Sequence, residues 1–311
     1  MKVILHIGAH RTAATSYQHY LAENASRLHL RGLHAIGPGD TCDTLMSGIS
    51  AECDACPAQG RPDHSSRRIE RYLSRLSRDH VTHLLISDES LAGSVRRNLH
   101  QHGLYKDLGE RMTRLHMAFD GRIDRVVLCI RSQEGLWASA LASSMAHGHR
   151  LPDPDVLERL SRAPRSWRDV ILDLACALPG VEIQVMPYEI FGGLPERLLE
   201  HMTGLGEMPR FHARAWLSKS PNRERLRQIL ACRGDERVKT LAGAGRWQPF
   251  GSDQIAALRE AYADDLFWLR AGAEGLARIV EETGPVRTGD HPAPDLTTRG
   301  RSDGTEERHL A

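Results

Sequence analysis

The sequence predicts a three-layer α/β fold, a mostly parallel β-sheet flanked by helices. Three observations carry this. Short apolar runs rich in β-branched residues recur at 2–7, 82–87, 125–130 and 181–189. The segments between them place apolar residues at helical spacing. And the run Val126-Val127-Leu128-Cys129-Ile130 is apolar without alternation, as in strands covered on both faces. A chain of 311 residues can bury a sizeable core. One domain is expected over 1–283, with a long loop insertion at 37–66 and a disordered tail at 284–311.

Taken in order, the first strand runs into Gly8-Ala9-His10-Arg11-Thr12-Ala13-Ala14-Thr15-Ser16, and a helix follows through Tyr17, Tyr20, Leu21 and Leu28. A brief strand at 32–36 ends at Gly37-Pro38-Gly39. Residues 37–66 lack periodicity. Within them Cys42, Cys53, Cys56 and His64 could supply metal ligands, but one Cys-x-x-Cys is a weak signal, and plain loop cysteines are the favoured reading. Residues 67–78 repeat Ile69, Tyr72, Leu73 and Leu76, an amphipathic helix whose arginines read as a solvated outer face. The strand at 82–87 ends in Asp88-Glu89-Ser90. A helix at 104–119 precedes the strand at 125–130, and another is expected from Gln133 to about His147. Residues 147–164 read as a mobile connection and 166–178 as a helix. After the strand at 181–189, ending in Tyr188-Glu189, short helices are expected at 195–202 and 223–232. The polar stretch between them, with Arg210, His212, Arg214, Trp216, Lys219 and Ser220, has two open readings: a cover over the site or a surface loop. A long helix is expected over 254–282.

Lys+Arg at 41 nearly balance Asp+Glu at 40, a net charge of +1, which argues against nucleic acid as the main partner. No stretch approaches the roughly 18 apolar residues of a transmembrane segment. With a strand opening at residue 2 and no secretory apolar region before it, a cytoplasmic protein is expected. Six scattered cysteines do not form a disulfide framework.

A loop that turns a buried strand into a helix leaves the first helical N–H groups unpaired at the positive end of the helix dipole, a ready anion site. Arg11 adds a cationic fork and Thr12, Thr15 and Ser16 add hydroxyl donors. It is not a nucleoside-triphosphatase loop, because Gly-Lys-Ser/Thr is missing, and Gly8 stands alone where a Rossmann loop needs three glycines. Leu5-His6-Ile7-Gly8-Ala9-His10-Arg11-Thr12-Ala13-Ala14-Thr15-Ser16-Tyr17-Gln18 resembles instead the 5′-phosphosulfate loop of sulfotransferases that use 3′-phosphoadenosine 5′-phosphosulfate (PAPS), written Lys-Thr-Gly-Thr-Thr. Arg11 stands where that family has lysine, Ala13 where it has glycine and Ala14 where it has threonine. A second likeness follows the strand at 125–130. The family ends that strand in an arginine and places a serine eight residues on, often with an aromatic between, and Arg131, Trp137 and Ser139 occupy those places.

The resemblance implies a P-loop-NTPase-like sulfotransferase architecture and transfer of a sulfuryl group from PAPS, as co-substrate, to a hydroxyl or amine, with no metal required. It implies PAPS contacts at Arg11, Thr12, Ala13, Ala14, Thr15 and Ser16 for the 5′ end and at Arg131 and Ser139 for the 3′-phosphate. Charge accumulates on the leaving phosphate oxygen in such an in-line transfer, and Arg11 would stabilise it. For the base that activates the acceptor, Glu89 ranks first, Asp88 second and His10 third. Two carboxylates beyond a strand's carboxyl end are well located for chemistry, although Asp88 also reads as a cap and Glu89 as a partner of Arg11. Glu189 reads as structural. The acceptor is left open among glycans, lipids, peptides and small molecules. An inactive nucleotide-binding homologue of the same fold and, less favoured, a P-loop-like kinase are the alternatives.

Overall fold

The computed structural model describes residues 1–41, 45 and 62–281. Its strands are β1 (Lys2–His6), β2 (Leu33–Ile36), β3 (His83–Ser87), β4 (Arg125–Ile130), β5 (Glu182–Pro187) and β6 (Arg278–Ile279). Its helices, in chain order, are α1 (Ala14–Glu23), α2 (Ala25–His29), α3 (Pro38–Asp40), α4 (Pro62–Arg78), α5 (Val95–Gln101), α6 (Leu108–Ala118), α7 (Gln133–Ala146), α8 (Pro154–Ser161), α9 (Trp167–Ala177), α10 (Tyr188–Phe191), α11 (Pro195–Thr203), α12 (Arg223–Cys232) and α13 (Ser252–Arg270). All six strands run parallel in the order β2-β3-β1-β4-β5-β6, with helices on both faces: the three-layer α/β fold.

Strand geometry explains the unbroken apolar runs. Successive side chains point to opposite faces. Val3, Leu5 and Ile7 of the first strand and its continuation enter one core with Leu84, Ile86, Val126 and Leu128, while Ile4 enters a second with Tyr17, Tyr20, Leu85 and Val127. Each buried Leu, Ile or Val contributes about 1.5–3 kcal/mol of hydrophobic stabilisation, so both faces must be apolar. From β1 the chain goes first to the β2 and β3 side and then crosses over β1 to β4. That reversal makes the carboxyl ends of β1 and β4 the switch point of the sheet, the place where open parallel sheets hold ligands.

Two buried polar anchors fix the helices beside this switch point. Asp265 of α13 accepts from Ser166 Oγ at 2.7 Å and from the backbone N–H of Trp167 and Arg168 at 3.0 and 3.1 Å, which caps α9 from a neighbouring helix. Trp167, fully buried, donates through Nε1 to the carbonyl of Arg131 at 2.8 Å. The end of β4 is thereby pinned.

Three expectations need correction. The long helix stops at Arg270, because Gly272 takes φ 98° and Glu274 φ 56°, and the chain then forms β6 against β5; Leu276 and Ile279, three apart, fit the helical period by coincidence. Residues 147–164 contain α8, started by a proline in the first helical turn, a position that needs no N–H donor. Tyr105 and the residues around it precede α6, which begins only at Leu108. The metal reading at Cys42, Cys53, Cys56 and His64 rests on side chains outside the described residues, and the tail from 284 lies outside them too. Among the described residues no helix is long and apolar enough to cross a membrane, and no group of three or more His, Cys, Asp or Glu is arranged to hold a metal ion.

Candidate functional site

The turn after β1 is built by extending the ladder with β4. Ile7 N–H donates to Val127 O at 3.1 Å and Ala9 N–H to Cys129 O at 2.7 Å, so residues 8–13 are held over the end of β4. Gly8 takes φ 86°, and a Cβ there would stand 2.8 Å from Glu89 Cβ; only glycine lets β1 leave the sheet this close to the end of β3. Arg11 and Ala13 also have left-handed backbones, φ 64° and 67°. For residues with a Cβ that costs about 1–2 kcal/mol each, strain of the kind that gathers at functional turns. Helix α1 then begins with no side chain capping its first turn.

Four of the residues singled out from the sequence meet here. Arg11 Nε donates to Ser139 Oγ at 3.0 Å, and Arg131 Nη1 donates to the Arg11 carbonyl at 2.6 Å. Ser16 Oγ accepts from Leu217 N at 2.8 Å. The loop after β1 and the strand-end arginine of β4 with its serine on α7 therefore form one surface.

The electrostatics of that surface are unusual. Arg131 is buried, and its pKa is lowered first by burial and also by the charges of Arg246 and Arg11. Arg11 is likewise lowered by burial. Arg246 Nη2 donates to Gly135 O at 3.3 Å, which places a third guanidinium at the start of α7. Among the described residues none of the three forms an ion pair. Arg131 is stacked on Tyr188, its Cζ 4.3 Å from the ring centroid. Glu189, the nearest carboxylate in sequence, accepts from Ser132 N at 2.9 Å and from Tyr262 Oη at 2.8 Å and so braces the loop after β4. Three clustered cations without a carboxylate partner form a seat for a polyanion.

The remaining donors are covered by the chain itself. Arg11 Nη2 donates to Ser218 O at 3.1 Å and to Ser220 Oγ at 2.8 Å, and Ser220 Oγ lies 2.5 Å from Ser139 Oγ. Of the two readings of 209–222, residues 217–220 thus act as a cover over the turn, while Arg214 is tied to Glu196 at 2.8 Å.

The three candidate bases differ sharply. Asp88 is buried and both its oxygens are occupied: Oδ1 accepts from Ser90 N at 2.9 Å and Oδ2 from Thr41 Oγ1 at 2.5 Å, the capping reading. His10 is enclosed by Tyr105, whose hydroxyl accepts from His10 N–H at 2.8 Å and lies 3.0 Å from Nδ1. Burial lowers the imidazole to about 4, so the ring is held neutral in this closed contact with the phenol. Glu89 is half-exposed, accepts from Gln18 Nε2 at 2.5 Å instead of pairing with Arg11, and has its pKa raised by burial. A carboxylate with raised pKa that is not closed off as Asp88 and His10 are, beside a cationic seat, is the best placed of the three to take a proton.

Thr12 turns inward, its hydroxyl donating to Ala9 O at 2.5 Å, and Thr15 is exposed with no side-chain bond. Neither hydroxyl reaches the arginines. Arg246 and Ser218 are site residues that the motifs did not single out, and Tyr188, noted only as the strand ending Tyr188-Glu189, was given no role at the site; for Arg246 the available signal was the glycine pair Gly243 and Gly245 beside a buried Trp247. Comparison of the chain with protein-family models, with curated proteins and with solved structures gives no match.

Proposed function

We propose that the protein is a sulfotransferase that moves a sulfuryl group from PAPS to a hydroxyl or amine of an acceptor. The observation that carries this reading is the joining of two strand ends, Arg11 to Ser139 and Arg131 to Arg11, into one cationic surface whose arginines form no ion pair among the described residues, Glu89 and Glu189 standing nearby. A donor with phosphate groups at both ends needs two such anchors at a fixed separation. Arg11 on the turn after β1, and Arg131, Ser139 and Arg246 around the start of α7, supply the donors for the two ends.

In this reading Arg131, Ser139 and Arg246 hold the 3′-phosphate, and binding energy there fixes the alignment of the distant reacting end. Arg11 and the uncapped first turn of α1 stabilise the negative charge that develops on the leaving phosphate oxygen. Glu89 takes the acceptor's proton. The Ser218–Ser220 cover withdraws from Arg11 when the donor enters, freeing the two N–H groups of Nη2 for its phosphosulfate end.

The test is a thermal-shift series followed by transfer of labelled sulfate. Stabilisation by adenosine 3′,5′-bisphosphate and not by ATP with magnesium supports the reading, and the reverse result overturns it. A second reading, a nucleotide-binding protein of the same fold without turnover, is favoured by one feature: Arg11, which holds its proton too firmly to donate near neutrality, stands where the family it resembles has lysine. Bisphosphate binding without sulfate transfer to any acceptor would establish that second reading.

A further inference from the structure

The outer face of α4 carries Arg67, Arg71, Arg75 and Arg78, all exposed. At 3.6 residues per turn the four lie within an arc of about 80° and follow one another every ~5–6 Å over about 17 Å. The opposite face of the helix, Ile69, Leu73 and Leu76, is buried in the core, so the stripe is fixed outward.

Its charge is uncompensated. Among the described residues none of these four arginines forms an ion pair; Glu70, between the first two, stands 3.7 Å from Arg122. Arg75 rests 5.2 Å from the Tyr72 ring centroid, and Arg78 Nε donates to Ser74 O at 3.3 Å. Elsewhere on the surface exposed arginines either pair with a carboxylate, as in Arg168–Glu274, Arg237–Asp153 and Arg270–Glu281, or stand without one among the described residues as single residues, as Arg27, Arg96 and Arg225 do; α4 sets four in a row. In a chain of net charge +1, four consecutive unpaired arginines on one helix face are a local departure.

We propose that this face docks a linear acidic polysaccharide. A row of guanidiniums at regular separation matches a chain with a carboxylate or sulfate on successive sugars. Ser74 and Ser77, exposed beside the row, are hydroxyl partners for a sugar chain; Glu70, exposed there too, stands 3.7 Å from Arg122, and Tyr72 is half-buried and bonded to His34 rather than open like the aromatics on which single-stranded nucleic acids stack. Nor does the face offer apolar side chains for a membrane surface, since those of α4 are buried. Position links the stripe to the site: α4 leads into β3 and runs antiparallel to it, so its Arg67 end lies toward the edge where Glu89 follows β3. Resting on the sulfotransferase reading, the docked polysaccharide is the hydroxyl-bearing acceptor.

The test uses the full chain and a fluorescein-labelled oligogalacturonate of about ten residues, read by fluorescence anisotropy. Binding is expected, with log affinity falling against log salt at a slope of about −3 for four contacts. The double variant Arg71→Glu/Arg75→Glu is expected to bind at least about 10-fold more weakly, while Arg270→Ala binds as the parent does. Unchanged affinity in the double variant overturns the proposal, as does tighter binding of a single-stranded oligonucleotide of equal charge or of phosphatidylglycerol vesicles. The thermal shift with adenosine 3′,5′-bisphosphate is measured on the same double variant and is expected to match the parent. If the bisphosphate binds neither protein, the acceptor role is lost, and the anisotropy result alone decides the docking surface.

Discussion

The two ends of β4 carry arginines in opposite circumstances. At the amino end Arg125 grips Glu182 through Nε and Nη2, at 2.9 and 2.6 Å, and also donates to Met202 O. At the carboxyl end Arg131, six residues later, forms no ion pair among the described residues and stands beside Arg11 and Arg246, with Glu189 near enough to act on its charge. The acids follow the same division. Burial works against Glu182, yet hydrogen bonds from Arg125 and Arg278 hold its pKa below the ordinary range, whereas burial raises that of Glu89. Charge that is neutralised within the fold stabilises the fold. Charge held in place without a counter-ion is available to a ligand, and the stability it withholds is returned when the ligand binds.

The largest expected effect breaks this contrast at its centre. Arg131→Ala should weaken adenosine 3′,5′-bisphosphate binding at least about 100-fold, about 2.7 kcal/mol. Arg125→Ala should leave that affinity within about 3-fold and instead lower stability by about 1–3 kcal/mol. Calorimetric titration and urea unfolding of both variants measure the two quantities. Equal losses of affinity would show that the ends of β4 do not divide their work as argued.

Next in size is the carboxylate. Glu89→Gln should spare bisphosphate affinity and slow sulfate transfer about 100-fold or more, the usual cost of losing a general base. Transfer at the parent rate would remove Glu89 from that role. Its own pH dependence gives an independent check. A carboxyl group whose pKa is raised in the folded state favours folding when protonated, and that contribution is lost as pH rises through the folded value. Relative to the parent, Glu89→Gln should therefore be neutral at low pH and gain stability as pH rises above the usual carboxylate range. Glu182→Gln should do the opposite, because Glu182 is depressed: its loss should matter above that range and fade as pH falls through the folded value. Chemical unfolding at several pH values between 3 and 8 would show whether the two difference curves have opposite slopes.

A smaller and more local expectation concerns Gly8. Adding a methyl group at φ 86° and 2.8 Å from Glu89 Cβ should destabilise Gly8→Ala by about 2–3 kcal/mol and disturb transfer more than bisphosphate binding, since the clash falls on Glu89 and not on Arg131.

The parts of this contrast that could be read from sequence are those made by contiguous residues. Val126 to Ile130 is apolar at every position because two layers cover it, and that pattern survives in one dimension. The turn at 8–16 and the Arg131–Ser139 spacing are also local. Arg246 and Ser218 are not, since they reach the site only after α12 and the loops flanking it have folded against α7. Strand β6 has two residues and no pattern of its own; it exists because β5 offers it an edge. Asp88 and Glu89 look equivalent in sequence, and only the position of Thr41 and Ser90 distinguishes a cap from an accessible acid.

The smallest effect separates the strain of the anion seat from its charge. Ala13 holds φ 67° and ψ 22° at the start of α1, where the resembled loop has glycine. Glycine removes the steric cost of about 1–2 kcal/mol but restores backbone freedom to the unfolded chain, worth about 0.4–1 kcal/mol in the other direction. Ala13→Gly should therefore raise stability by about 0.5–1 kcal/mol with bisphosphate affinity unchanged, as thermal unfolding with and without ligand would report. If stability fell by that amount instead, the turn would owe its shape to the docked residues 217–220 and not to a backbone strained in its own right, and the cover would be part of the seat.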